Sequence, residues 1–321
     1  MFETQNQNLP SPAEVNERFF EWIGGSDGMK KKAGDALQDY TRDRLREESF
    51  VESILPPISV DNNDLDTQLD TDKPVIIQFK EPGSPGAVSL PYGQLPYNEY
   101  IMGPKYAISF DRIVTPKFTA DVDTLRTYTD IDIRQVLSDN GVKDMSAEQD
   151  AKFLGGVNHM LSNGTYASGA TVTSTGAVQW QDIAGGFSRE TISEAKTVMM
   201  KTRSRFAPVK ALCNMITWTR FEAFGRDEAG GDIAEEVFIN GFTERRIGGI
   251  DYVVTIKREL VPDDTIYWFS APKNFGKFCV LEDTTMFVKK EAWFIEFFQY
   301  KNIGGSIGNI AGAARTDFQT S

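Results

Sequence analysis

The sequence predicts an α+β protein with a long projecting hairpin, and three observations lead to this fold class. Residues 73–114 alternate apolar and polar side chains on both sides of a very long loop. Residues 146–163 carry apolar side chains at helical spacing. Residues 252–300 contain a rapid succession of short apolar segments typical of strands. This close succession favours a mostly antiparallel sheet in the second half of the chain.

The composition is that of an ordinary globular protein. With 321 residues, 40% hydrophobic and 25% charged, the chain can bury one large core or two modest ones. No run approaches the roughly 18 apolar residues of a membrane span, and residues 1–9 lack the features of a signal peptide, so we expect a cytoplasmic protein that enters no membrane. The net charge of -12 opposes a tight, sequence-neutral grip on nucleic acid. Cys213 and Cys279 are too few for a disulfide framework and are expected to be buried free thiols.

The first 72 residues are expected to form an arm of helices followed by an acidic connector. Apolar residues at helical spacing, followed by two glycines, predict a first helix over residues 12–23. A strongly charged second helix is predicted over residues 29–54, and two prolines end it. Residues 61–72 contain five aspartates and no basic residue, which is typical of a solvated connector.

The hairpin of residues 73–114 is the most informative stretch of the chain. Between its two alternating strands lie 24 residues, 81–104, with five prolines, four glycines and no lysine. Ordinary hairpin loops have about two to five residues, and much longer loops are usually functional or disordered. An arm with this much apolar surface needs a neighbour to cover it, so we expect the chain to assemble. The side chains expected at that contact are Leu90, Tyr92, Leu95, Tyr97, Tyr100 and Ile101.

Two helices are predicted after the hairpin, over residues 130–140 and 146–163. Ser146 and Gln149 fit a capping box at the start of the second helix. Gly155-Gly156 in its middle lowers helix stability, which indicates close packing against another backbone. The buried face of this helix is predicted to hold Phe153, Val157, Met160 and Leu161. The Gly-, Ser- and Thr-rich residues 165–187 are expected to form a mobile or extended connection.

The second half is predicted as a mixture of helices and strands. Helices are expected over residues 188–203 and 218–224, and strands over residues 209–216, 252–257, 266–270, 277–281, 285–289 and 293–300. The aromatic residues between Trp293 and Tyr300 are expected to lie in a sheet core. The glycines between Gly304 and Gly312 are expected in a bent strand that closely contacts a neighbour.

No motif predicts an active site, a cofactor or a metal ion. His159 is the only histidine, and no nucleophile motif lies near it, so we expect a structural or exposed side chain. The aspartates of residues 61–72 lack the glycine and the final glutamate of an EF-hand loop. Acid pairs such as Asp121 and Asp123 leave open a carboxylate-dependent hydrolase.

The order of these elements resembles the Hong Kong 97-type major capsid protein of tailed bacteriophages. The resemblance is most specific over Phe206 to Gly225 and over residues 248–254 and 261–267. It implies an N-terminal arm over residues 1–72, an E-loop over 73–114, and a peripheral domain with a spine helix over 115–186. It further implies an axial domain over 187–281 and return strands of the peripheral domain over 282–321. Phe19, Trp22 and Phe50 are then the expected contacts of the N-terminal arm.

The resemblance also implies a function. The chain would be no enzyme but would self-assemble as hexamers and pentamers into the icosahedral head shell of a virion. The shell would be assembled in the host cytoplasm and enclose double-stranded DNA without sequence-specific binding. Portal, scaffold and decoration proteins are the further partners it implies. One branch of the family links subunits through a lysine near the loop tip, and the lysine-free loop here predicts noncovalent contacts only. An encapsulin-like compartment and a hydrolase are the alternatives.

Overall fold

The computed structural model describes residues 49–67, 74–79, 89–95, 105–121, 133–162, 179–202, 204–222, 246–291 and 293–319, together with Arg18 and Glu21. The helices are α1 (Phe50–Ile54), α2 (Ile133–Ser162), α3 (Arg189–Met200), α4 (Met215–Glu222) and α5 (Pro272–Phe275). The strands are β1 (Pro57–Ser59), β2 (Asp66–Thr67), β3 (Pro74–Phe79), β4 (Lys105–Val114), β5 (Phe118–Asp121), β6 (Trp180–Ala184), β7 (Lys210–Asn214), β8 (Arg246–Ile247), β9 (Ile250–Thr255), β10 (Thr265–Phe269), β11 (Gly276–Glu291), β12 (Phe294–Ile307) and β13 (Ala313–Gln319). The predicted α+β class is confirmed.

The first sheet carries the predicted hairpin. Its order is β1-β11-β12-β4-β3-β2, and β5 also pairs with β12. All of its pairs are antiparallel except β1 with β11. The two strands predicted at 277–281 and 285–289 are one strand, β11, which continues through register shifts between Val280 and Thr285. These bulges let one strand bend where the sequence pattern suggests an end.

Helix α2 is one continuous helix of 30 residues, not the two predicted pieces. The expected capping box at Ser146 and Gln149 is wrong, because both side chains are buried in mid-helix. Gln149 donates instead to Ser49 Oγ at 3.0 Å and to Glu52 Oε1 at 3.2 Å. These long-range bonds occupy the polar side chains that would otherwise signal a helix start.

The second sheet has the order β6-β13-β10-β7-β9-β8. Three of its pairs are antiparallel, and two, β7 with β9 and β6 with β13, are parallel. Helix α3 packs on this sheet through Ile192, Ala195, Val198 and Met199, which are all buried. Ser188 caps α3 and forms a capping box with Thr191.

Two further segments of the chain belong to this second sheet. Part of the stretch predicted as a connection, Trp180–Ala184, forms β6. Residues 313–319 form β13 between β6 and β10, so they lie in the second sheet and not beside β11 and β12. The boundary expected between residues 281 and 282 falls inside β11. The chain therefore leaves the second sheet after β10, forms β11 and β12 of the first sheet, and returns to the second sheet in β13.

Helix α2, α1 and the adjoining strands of both sheets enclose the largest core cluster, which includes Phe275, Tyr267 and Phe269. A second cluster around Trp218, Tyr252 and Trp268 lies between α3, α4 and the second sheet. Cys213 and Cys279 are both buried free thiols, as predicted. Among the described helices, none is long and apolar enough to cross a membrane.

The arm and the connector are described only in part. Apart from Arg18 and Glu21, which are helical and exposed, the two helices predicted before Ser49 lie outside the described residues. Helix α1 ends at Ile54, ahead of the two prolines, as the sequence predicts. The acidic connector is exposed at residues 61–64, but Asp66 and Thr67 pair with β3 as an edge strand.

Candidate assembly surfaces

The hairpin is fixed at its base by packing and pairing with the first sheet. Strands β3 and β4 pair from Val75 with Ser109 to Phe79 with Lys105, as the alternation predicts. Ile76 and Ile108 lie opposite each other in a small core that also contains Val60, Phe110 and Cys279. Gly304 of β12 lets β4 approach closely, since a Cβ there would lie 2.9 Å from the carbonyl oxygen of Ser109. The hairpin therefore leaves the subunit from a rigid base.

The loop of the hairpin presents apolar side chains to solvent. Residues 91–94 form a turn in which the Gln94 amide donates to the Pro91 carbonyl at 3.2 Å, and Gly93 has φ +88°. Tyr92 is fully exposed, Leu95 is 91% exposed and Leu90 is 39% exposed. Tyr97, Tyr100 and Ile101 lie outside the described residues. The predicted contact residues Leu90, Tyr92 and Leu95 therefore lie outside the core of their own subunit.

A second exposed apolar surface lies where β11 turns into β12. We call it the aromatic tip, and it consists of Phe287, Trp293, Phe294 and Phe298. Trp293 is 66% exposed, and the rings of Phe287 and Phe298 stack with centroids 4.9 Å apart. The expectation that these aromatic residues form a sheet core is confirmed for Phe297, which is buried, and wrong for Trp293 and Phe294.

The loop and the aromatic tip lie at opposite ends of the first sheet. Strand β4 pairs with β12 from Phe110 with Gly304 to Val114 with Tyr300. The loop continues from the Lys105 end of β4, whereas Phe294 lies six residues beyond Tyr300 on the other side. At about 3.4 Å per residue, the base of the loop at Lys105 lies roughly 50 Å along the sheet from Phe294. One subunit cannot cover its own aromatic tip with its own loop.

A buried polar network fixes residues 49–55 to the rest of the fold. Lys301 Nζ donates to Glu52 Oε1 at 2.8 Å, and both side chains are 5% exposed or less. Asp150 is fully buried and accepts from Lys257 Nζ at 2.6 Å and from Ser49 Oγ at 2.8 Å. Burial raises the pKa of Asp150, while its hydrogen bonds with Lys257 and Ser49 act in the opposite direction. The network joins residues 49–55 to α2, to β12 and to the turn after β9.

Phe50 does not fit the role expected from the sequence. It is 3% exposed and packs in the largest core cluster with Ile54 and Met145. Lys257 Nζ lies 5.9 Å from its ring centroid. Phe50 therefore stabilises its own subunit, and we do not keep it among the contacts between subunits. Phe19 and Trp22 lie outside the described residues.

The described residues offer little for catalysis. No group of three or more His, Cys, Asp or Glu side chains among them is placed to hold a metal ion. His159 is exposed on α2, in line with expectation. Asp121 is half-buried at the end of β5, and its partner in the hydrolase hypothesis, Asp123, lies outside the described part of the chain.

Comparison with solved structures identifies proteins that share this fold. No protein-family model matches the sequence, and neither does any curated protein. A chain from Microbacterium phage Oxtober96 shares the fold with a TM-score of 0.58 at 13% identity, over 85% of this chain and 91% of that one. The capsid of an empty GTA particle matches with a TM-score of 0.52 at 14% identity, over 84% and 89%. The virus-like particle from Pyrococcus furiosus matches with a TM-score of 0.51 at 11% identity, over 88% and 98%.

This chain therefore shares its fold with capsid chains. These matches extend over 84–85% of this chain and 89–91% of the matched chains. The resemblance to the Hong Kong 97-type major capsid proteins, predicted from the order of elements, is confirmed at the level of the fold.

Proposed function

We propose that this chain is a phage major capsid protein, which assembles into the icosahedral head shell that encloses a double-stranded DNA genome. The observation that carries the proposal is the likeness of fold, over 84–85% of the chain, to a phage chain and a GTA capsid chain. The net charge of -12 suits a shell that encloses DNA, because a shell that does not adhere to nucleic acid hinders neither the packaging nor the release of the DNA.

In this proposal residues 1–72 are the N-terminal arm, residues 73–114 the E-loop, and α2 the spine helix. The axial domain is built from the second sheet with α3 and α4. It therefore takes up β6 and β13 as well as most of the expected range 187–281. The first sheet, with β11 and β12, belongs to the peripheral domain.

The separation of the two apolar surfaces supports contact between copies. A loop that cannot reach the aromatic tip of its own subunit can cover the same surface on a neighbour. Such a contact is head-to-tail, and a head-to-tail contact repeats until a ring closes or a filament grows. Hexameric and pentameric rings are the closed forms that a shell requires. We propose Leu90, Tyr92 and Leu95 as the described loop residues in this contact.

The experiment is assembly of the purified full chain, followed by electron microscopy and sedimentation. The unmodified chain is expected to form shells, whereas the triple variant Leu90→Ser, Tyr92→Ser and Leu95→Ser is expected to remain as small oligomers with an unchanged circular dichroism spectrum. Ile256→Ser is the matched control, because Ile256 is 87% exposed outside the loop. Normal shells from the triple variant, or an unmodified chain that stays monomeric, would contradict the proposal.

The proposed contacts are noncovalent. Residues 81–104 contain no lysine, so the loop has no amine with which to form an isopeptide bond. Intact particles boiled in detergent are expected to give a single band at 35.9 kDa. A ladder of multimers on that gel would overturn this part of the proposal.

A second candidate is an encapsulin-like compartment. The observation in its favour is the match to the virus-like particle from Pyrococcus furiosus, which covers 98% of that chain. The two candidates differ in their contents and in the vertex structure of the particle. Micrographs of particles from the natural source decide between the two candidates. Heads that are filled with DNA and carry a portal support the phage capsid, whereas small uniform shells without a portal support the compartment.

A further inference from the structure

The outer edge of β11 is open over most of its length. Strand β12 pairs with one edge of β11, and β1 pairs with the other edge from Phe278 to Val280. From residue 281 to Glu291 this outer edge pairs with no strand in the described part of the chain. The register shifts of β11 end at Thr285, so the strand is regular from there to Glu291. An open, regular edge is a template for pairing with another strand.

The backbone groups of Met286 point to this open edge. On β12, the Gln299 carbonyl accepts from the Thr115 amide at 2.9 Å, and the Gln299 amide donates to Thr115 Oγ1 at 2.9 Å, so both groups point away from β11. Gln299 lies opposite Met286 in the antiparallel ladder. Facing residues in such a ladder direct their backbone groups either toward each other or away from each other. The N–H and C=O of Met286 therefore point to the open edge, as do those of Val288 two residues further on.

The open edge is complementary to a second copy of itself. Its sequence is acidic at the start, with Glu282 and Asp283, and basic near the end, with Lys289 and Lys290. When two such edges run antiparallel, the acidic pair of each copy lies near the basic pair of the other. Opposite charges across neighbouring strands stabilise their pairing. The charge pattern therefore favours a second copy of this chain as the added strand.

Symmetry and length select one register for this pairing. Hydrogen-bonded and non-hydrogen-bonded pairs alternate along an antiparallel ladder, and a two-fold axis makes equivalent pairs the same kind, so one residue must face its own copy. The midpoint of the open edge, residues 281–291, is Met286. With Met286 on the axis, the two edges overlap fully and neither collides with β1. The same register places Asp283 beside Lys289 of the second copy.

The contacts within one subunit leave these charges available. Glu282 accepts from Tyr300 Oη at 2.9 Å and from Asn302 Nδ2 at 2.8 Å, and both donors are neutral. Lys289 binds Glu291 at 2.9 Å, but the two side chains are 52% and 68% exposed, so this pair contributes little stability. The lysines of a second copy thus supply Glu282 with a counter-charge.

We propose that the open edge of β11 pairs antiparallel with the same edge of a second copy, across a two-fold axis at Met286. This inference rests on the proposed assembly into a shell, and it adds the contact that joins one ring of subunits to the next. The contact between loop and aromatic tip is head-to-tail and is used up when a ring closes. An isologous contact through β11 links two closed rings, which is what a shell needs beyond the rings themselves.

Disulfide trapping across the axis tests the register. Thr285→Cys and Phe287→Cys are made in separate chains, mixed before assembly and oxidised. In the proposed register the two residues face each other as a non-hydrogen-bonded pair with Cα atoms about 4.5 Å apart, which a disulfide can bridge. A linked dimer is therefore expected from the mixture on a non-reducing gel. The natural cysteines do not compete, since both are buried.

Each of these variants alone is the matched control. Two copies of Thr285, or two copies of Phe287, lie on a diagonal across the axis, about 7–8 Å apart. That distance is beyond the reach of a disulfide, so neither variant alone is expected to give a dimer. A dimer from Phe287→Cys alone would move the axis to residue 287 and overturn the proposed register.

Removal of one backbone donor provides the second test. Val288→Pro deletes an N–H that points to the open edge, and it leaves the hydrogen bonds between β11 and β12 in place. This variant is expected to reduce the yield of shells at least tenfold and to leave rings of five or six chains in sedimentation. Val288→Ala is the matched control, because it keeps the N–H, and it is expected to form shells. Thermal melts of the unassembled subunits show that both variants are folded.

The outcomes separate this inference from the proposed function. Shells from the unmodified chain, together with normal assembly of Val288→Pro and no dimer from the mixed cysteine variants, would overturn the pairing of β11 and leave the shell intact. Equal loss of shells in Val288→Pro and Val288→Ala would overturn the role of the backbone edge. An unmodified chain that forms neither rings nor shells would remove the proposed function itself.

Discussion

Removal of one partner from the buried ion pair of Glu52 and Lys301 is expected to destabilise the subunit strongly. The pair is 2.8 Å long and each side chain is at most 5% exposed, so Lys301→Met leaves the Glu52 carboxylate buried without its counter-charge. Loss of one partner from such a pair costs about 3–5 kcal/mol of unfolding free energy. Gln149 still donates to Glu52 at 3.2 Å, which places the expected cost near 3 kcal/mol, the lower end of that range.

Denaturant unfolding of the unassembled subunit, followed by circular dichroism, measures this cost. The double variant Glu52→Gln with Lys301→Met removes both charges and is expected to recover most of the lost stability, which a double-mutant cycle reports as coupling. The pair of Lys289 and Glu291 is the matched control, with a similar distance of 2.9 Å but side chains 52% and 68% exposed. Lys289→Met is expected to have no measurable effect. A loss below about 1 kcal/mol for Lys301→Met, or no coupling with Glu52→Gln, would refute the argument from burial.

Three further outcomes are expected. Gly304→Ala places a Cβ 2.9 Å from the Ser109 carbonyl oxygen and should lower the free energy of unfolding by about 1–3 kcal/mol in the same assay. Gly305→Ala is the control, because its Cβ would lie 3.8 Å from the nearest atom, and it should fold normally. Equal effects of the two variants would contradict the close approach of β4. Burial raises the pKa of Asp150, so the folded state holds this proton more tightly than the unfolded chain. As the pH rises from 3.8, the ordinary pKa of an aspartate, through the raised pKa of Asp150, the unmodified subunit should lose stability relative to Asp150→Asn. A gain in stability over that pH range would exclude a raised pKa at Asp150. Both thiols are buried, and burial raises the pKa of Cys279, so a thiol reagent should modify neither cysteine before the subunit unfolds. Prompt labelling of the folded protein would contradict the burial of the two cysteines.

Local patterns predicted the hairpin well because its two strands pair with each other. Alternation identifies Ile108 and Phe110 as one face of β4, and both are buried. The same pattern could not decide which face of β3 is inward. The structure buries Ile76 and exposes Ile77, because Ile76 lies opposite Ile108 in the register. The exposed loop residues Leu90, Tyr92 and Leu95 were predicted because proline and glycine exclude regular structure there.

Elements fixed by distant contacts could not be predicted from local patterns. Ser146 and Gln149 have the spacing of a helix cap, yet their partners include Ser49 and Lys257, about 100 residues away along the chain. Strand β13 begins with two small alanines and holds three polar residues before Phe318, so it shows no clear alternation. Pairing with β10 and β6 defines it. Phe50 has the hydrophobicity of a contact residue, and its burial depends on α2.

The position of β13 inside the second sheet has a consequence for synthesis of the protein. Residues 313–319 lie between β6 and β10, with Ala313 and Ala314 fully buried. A nascent chain that has emerged only as far as residue 312 therefore lacks an internal strand, and β6 has no partner among the described strands. Pairing across such distances in the chain is slow to form. The second sheet is therefore complete only after residues 313–319 have left the ribosome and paired with β10 and β6.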